Sequence, residues 1–93
     1  MVVPVTMVIA KGYLLADKIG SLVVDIWKDT YANYPPNNTD SICAAAPLTI
    51  ASGTKDRDVT LTGWTKTLTA GDILRYNVDS CTTITRVSVN LTP

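Results

Sequence analysis

"SLVVDIWKDTYANYPP", Ser21 to Pro36, begins as a strand and ends as a loop. In its first half Leu22, Val24 and Ile26 alternate with Val23, Asp25 and Trp27. That period of two sends successive side chains to opposite faces of a sheet. Asp25, set between apolar neighbours, implies that its face meets a polar contact, an interface or solvent. In the second half Tyr31, Tyr34 and the Pro35–Pro36 pair replace alternation with turn chemistry.

The same period recurs on both sides. A first strand is expected over Val2–Ala10, with Pro4 tolerated at a sheet edge. "KGYLLADKIGS" reads as a second short strand followed by a turn at Asp17–Gly20. From Thr30 to Ala51 regularity is lost, and "NYPPNNTDS" is a loop. A single helical turn capped by Thr39 or Asp40 is expected over "SICAAA", ended by Pro47. Alternation returns in "DVTLTGW", with Val59 and Leu61 on one face, and in "DILRYNV" after a tight turn at Thr69–Asp72. "DSCT" reads as a further turn. "TITRVSVNLT" closes the chain with Val87, Val89 and Leu91 inward and Arg86, Ser88 and Asn90 outward. Such spacing predicts an all-β, antiparallel β-sandwich, jelly-roll-like, of about seven to eight short strands.

Size and composition agree. Ninety-three residues, 46% of them hydrophobic and 17% charged, make one domain, residues 1–93, with a modest core. So apolar a small chain is expected to place some of its surface against a partner. Every acid is an aspartate, and threonine is abundant, which favours strands over helices. The basic residues are scattered singly and balance the acids to zero net charge, so no basic stripe points to nucleic acid. "MVVPVTMVIAKGYLL" lacks a basic leader and is broken by Pro4, Lys11 and Gly12, so it reads as a strand, with no membrane anchor expected.

Little in the chain suits catalysis. Histidine is absent, which removes the commonest general base and metal ligand. No nucleophile elbow or phosphate-binding glycine loop occurs. Asp56 and Asp58, in "KDRD", lack a calcium-loop pattern and read as a solvated turn between strands, and Asp17 and Asp72 beside glycines read as turn residues. A hydrolase would have to rest on aspartates such as Asp25, Asp29 and Asp72, and an enzyme is not expected. No cofactor or metal is implied. Cys43 and Cys81 match no zinc spacing and are expected to be free thiols, with a disulfide open if the fold brings them together. Asn37 and Asn90 open Asn-x-Thr triplets that matter only in a secreted chain. Trp27, Tyr31, Tyr34 and Trp64 could form a stacking platform for a sugar; the competing expectation packs both tryptophans in the core and uses the tyrosines to pin the loop.

Taken together, "LLAD", "GSLVVDIWKDTYANYPP" and "LTGWTKTLTAGDILRYNVDSCTTITRVSVNLT" resemble a small β-domain of tailed-bacteriophage structural proteins, often found at the C-terminal end of longer virion or tail-associated chains. The resemblance runs from Leu14 onward and is looser over Cys43–Arg57, a loop expected to suit this protein's own partner. It implies a virion structural protein. With Met1 directly before the domain, it suggests a domain acting alone as a capsid cement (decoration) protein. Such a protein would be made in the bacterial cytoplasm and located on the capsid surface. It would bind the major capsid protein as a homo-oligomer, a trimer by analogy with threefold shell positions. The alternative is a tail-fibre or receptor-binding module for a host surface glycan. Either way, the expected partner interface is Tyr31, Asn33, Tyr34, Pro35 and Pro36.

Overall fold

The computed structural model describes residues 1–44 and 46–93. It is all-β and antiparallel, with six strands: β1 Met7–Val8, β2 Lys11–Asp29, β3 Leu48–Asp58, β4 Thr67–Leu68, β5 Ile73–Thr82 and β6 Val87–Thr92. Two short 3₁₀ turns, Tyr31–Asn33 and Asn38–Asp40, interrupt the loop after β2. A four-stranded sheet is built on β2, and β1 with β4 forms a two-stranded one. The strand count is thus below the expected seven to eight: two neighbouring short strands are joined into one, and "DVTLTGW" forms none of its own.

β2 is the clearest case. The expected turn at Asp17–Gly20 does not form, and the strand runs unbroken for 19 residues. β3 takes one edge, from Gly12↔Asp58 to Val24↔Leu48. β5 and β6 lie end to end on the other: Ser21 pairs with Thr82, Ala16 with Val87, and Lys11 with Thr92. Asp17–Gly20 therefore face the Thr83–Arg86 segment. The Asp17 amide donates to the Arg86 carbonyl at 3.2 Å, while the carboxylate accepts from the Thr85 amide (3.2 Å), the Arg86 amide (3.0 Å) and the Thr85 hydroxyl. Asp17 does bind backbone amides, but those of a distant segment.

Such a strand would span about 60 Å if straight, at about 3.3 Å per residue, whereas the longest dimension of the molecule is 37 Å. The sheet must bend. Register shifts fall between Leu15 and Gly20 and between Gly20 and Leu22 in the β2–β3 ladder, and Ser52 of β3 takes φ 51°. The bend folds the sheet over itself. A Cβ on Gly12 would touch Leu48 at 3.3 Å and Trp64 at 3.4 Å, although Leu48 pairs with Val24 further along β2. Leu14, Leu22, Val24 and Ile26 of β2 meet Leu48 and Ile50 of β3, Leu74 of β5 and Leu68 of β4 in one core. Burial of each such side chain contributes about 1.5–3 kcal/mol. Leu22, Val24 and Ile26 share one face, as their alternation predicts, and that face is the buried one.

Other expectations are corrected by side chains that compete for the backbone. "DVTLTGW" is not a strand. β3 ends at Asp58, whose Oδ1 accepts from the Thr60 and Leu61 amides (2.9 and 2.8 Å), and Leu61 then turns into the core at φ 52°, leaving Val59 exposed. Asp56 and Arg57 lie in β3 and not in a turn. "DSCT" is likewise strand: a register shift leaves Asp79 as the extra residue between Val24↔Val78 and Val23↔Ser80, and the chain turns later, near Thr83 at φ 72°. Val87 is exposed, while Val89 and Leu91 pack partly against the core. The first strand shrinks to Met7–Val8, with Val2 bridged to Ile73. The turn at Thr69–Asp72 forms as expected, with Gly71 at φ 92° and the Asp72 carboxylate accepting the Thr69 amide at 2.9 Å. The Lys28 ammonium reaches the Thr67 carbonyl (3.2 Å) and Asp72 (3.9 Å), tying β2 to that turn.

Candidate functional site

The loop after β2 leaves the sheet at Asp29, whose Oδ1 accepts the Thr30 amide at 2.8 Å. One 3₁₀ turn follows, closed by Asn33 N–H to the Thr30 carbonyl (3.2 Å) and Tyr34 N–H to the Tyr31 carbonyl (3.4 Å). The second is capped by Asn37, not by Thr39 or Asp40. Its Oδ1 accepts the Thr39 amide, and the Asp40 carboxylate accepts the Asn37 amide, each at 2.9 Å. This reciprocal capping satisfies donors that a short turn leaves free. The helical turn expected over "SICAAA" is displaced N-terminally to Asn38–Asp40, and its Ala45 lies outside the described residues.

The loop then returns to β2. Ser41 bridges to Trp27, and the Ile42 amide donates to the Ile26 carbonyl at 2.9 Å. Asp25 organises this return: Oδ1 accepts the Ser41 hydroxyl (2.6 Å) and the Ile26 amide (2.8 Å), and Oδ2 accepts the Trp27 indole N–H (3.1 Å). Hydrogen bonds to a charged group are the stronger kind. The polar contact expected of Asp25 is thus internal to the fold.

Between these fixed ends the tip is exposed, with Tyr31 at 84% and Tyr34 at 53%. Asn33 and Pro35 are exposed beside them. Pro36 is buried, so it anchors the loop and does not belong to the surface expected of it. The four aromatics do not form one platform. Trp64 is in the core at 7% exposure, its indole N–H donating to the Ala46 carbonyl at 2.9 Å. Trp27 lies on the face of β2 opposite Leu22, Val24 and Ile26, half-buried, with the Arg75 guanidinium 5.8 Å from its ring centre. It does not pack in the core, as the sequence reading had it.

Every aspartate but Asp79, which accepts from the Asn77 side chain, accepts a backbone amide. Asp56 accepts from Thr49 at 3.0 Å, Asp72 from Thr69, and Asp58 from Thr60 and Leu61. Among the described residues no three of His, Cys, Asp and Glu come together as metal ligands do. Both cysteines are free: Cys43 is buried, which pushes its thiol up to about 12, and Cys81 is exposed.

A second surface escaped the sequence reading. Tyr13 pairs with Arg57 and Leu15 with Lys55, and these four with Asp56 line an open groove of about 550 Å³. The signal was present in the alternating "KDRD", but only as strand does it put both cations on one face.

Comparison with protein-family models, with curated proteins and with solved structures finds no match to this chain.

Proposed function

We propose that the protein is a structural component of a tailed-bacteriophage virion, working as a capsid cement protein on the outer surface of the shell. The observation that carries this reading is the pair Tyr31 and Tyr34, widely exposed on a loop whose backbone is held at both ends. Large aromatics presented on ordered backbone lose little freedom on docking and make strong interface anchors. Val2, Val5, Val8, Ile19 and Val78 are also more than half exposed, which is ample apolar surface for so small a chain. The sequence resemblance suggests the class of partner, the major capsid protein, and the threefold positions of an icosahedral shell suggest a trimer.

The mechanism is mass action. A protein that binds the assembled lattice and not its dissociated subunits stabilises the lattice by about 2.7 kcal/mol per site when free at about a hundred times its Kd. A second reading is favoured by one feature of the same loop: Asn33, Asn37 and Asn38, all exposed, flank the tyrosines in sequence with amide groups, a composition that suits a glycan-binding surface in a tail or receptor-binding module.

The copy number of the polypeptide in purified virions, measured against the major capsid protein, separates the two. Cement is expected near the number of capsid subunits or a simple fraction of it. A complement typical of a single tail organelle would reject the cement reading and favour glycan recognition. Absence from the particle would reject both.

A further inference from the structure

β3 stands at the end of the strand order, paired to β2 on one side only. Over Lys55–Asp58 no other main-chain segment among the described residues hydrogen-bonds to its outer edge. An open edge of this kind is a template for another extended chain. Its side-chain chemistry is specific. Lys55 and Arg57 are exposed on the same face, and neither forms an ion pair among the described residues. Behind them Leu15 and Tyr13 form the floor of the groove. Of the two acids on this stretch, Asp56 has its carboxylate engaged by the Thr49 amide and Asp58 by the Thr60 and Leu61 amides.

We propose that this edge receives an extended acidic segment of a partner protein, which adds as a strand beside β3 and sets carboxylates at alternate positions against Lys55 and Arg57. Opposite charges facing across strands stabilise the pairing, and like charges oppose it. The same rule disfavours a second copy of this chain. Antiparallel self-pairing centred on Asp56 would put Lys55 against Arg57 of the copy, two cations face to face. The edge is therefore guarded against itself and open to a strand of opposite charge. The alternating spacing also suits a strand better than a helix, whose neighbouring side chains recur at three and four residues. The inference is independent of the tyrosine loop and of where the protein works.

A blocked, fluorophore-labelled pentapeptide, Thr-Glu-Val-Glu-Thr, and its twin Thr-Gln-Val-Gln-Thr provide the test on the whole protein. The acidic peptide is expected to bind saturably, with chemical-shift changes and slowed exchange at the amides of Lys55–Asp58, and to weaken as salt is raised. Lys55→Glu with Arg57→Glu should weaken it at least about tenfold. The milder pair Lys55→Gln and Arg57→Gln serves if charge reversal disturbs folding, which a dispersed amide spectrum would report. Equal binding of the glutamine twin, or binding without changes along β3, would overturn the proposal. So would concentration-dependent dimerisation that the double variant abolishes, since the edge would then join two copies.

Discussion

At position 20 an ideal Cβ would lie 2.3 Å from the Thr82 carbonyl oxygen and 2.9 Å from Ile84 Cγ1. The first neighbour is backbone and the second a buried core side chain, so neither can yield cheaply. Gly20 is thus required by the close approach of the β5–β6 junction, the reverse of the loop role its place beside Asp17 suggests. Gly20→Ala is expected to destabilise the fold by about 1–3 kcal/mol, the usual cost of forcing an extra carbon into packed structure. Gly53, its cross-strand partner, is the matched control. A Cβ there would meet nothing closer than 3.8 Å. Gly53→Ala should be neutral or stabilising by up to about 1 kcal/mol, because alanine has less chain entropy to lose on folding. Urea unfolding of both variants checks the pair, and equal effects would remove the steric account of Gly20.

Among the elements, β2 is where the structure departs furthest from expectation, and Asp17 is the reason. Hydrogen bonds from the Thr85 hydroxyl, and then from the Arg86 amide, hold its carboxyl down from 3.8 to about 2. A folded value below the unfolded one means that the ionised form favours the folded state. That contribution is complete above about pH 4 and is lost as pH falls through about 2. Wild type should therefore lose its stability advantage over Asp17→Asn across that interval, and the Asp17 carboxyl carbon should titrate near the lower value by NMR. Titration near 3.8 would show that the junction is not held this way. The same residue marks the limit of what the sequence discloses. Alternation is a local property, so the faces of Leu22, Val24 and Ile26, the Thr69–Asp72 turn and the all-β class were legible. Turn-forming residues have a choice of partner, and the chain does not announce it. Asp17 caps a segment far along the sequence, Asp58 stops a strand that "DVTLTGW" would otherwise extend, and Asp79 is taken up in a bulge. Tyr31 and Tyr34 were readable as loop residues, either a contact surface or pins to the core, and only the structure shows them exposed; the burial of Pro36 and the Lys55–Arg57 face likewise depend on how the sheet folds over.

For the whole molecule, the fold leaves its tyrosine tip free of structural duty. The loop is held by Asp25, Asp29, Asn37 and Asp40, all through backbone or Ser41 contacts that neither tyrosine side chain makes. Tyr31→Ala and Tyr34→Ala should consequently change the unfolding free energy by no more than about 0.5 kcal/mol, the range of ordinary surface substitutions. Their effect on docking should be of a different order. An exposed aromatic that becomes the buried centre of an interface carries about 2 kcal/mol or more, so each variant is expected to bind about thirtyfold more weakly. Measured on emptied, expanded capsids, that loss supports cement function. If capsid binding is intact and attachment to host cells falls instead, the loop is a glycan reader and the shell is held elsewhere on the molecule. Variants that bind both targets like wild type would end the claim that this loop is the interface. The β3 edge would be untouched by that result, because Lys55 and Arg57 act through a different strand and a different kind of partner chemistry.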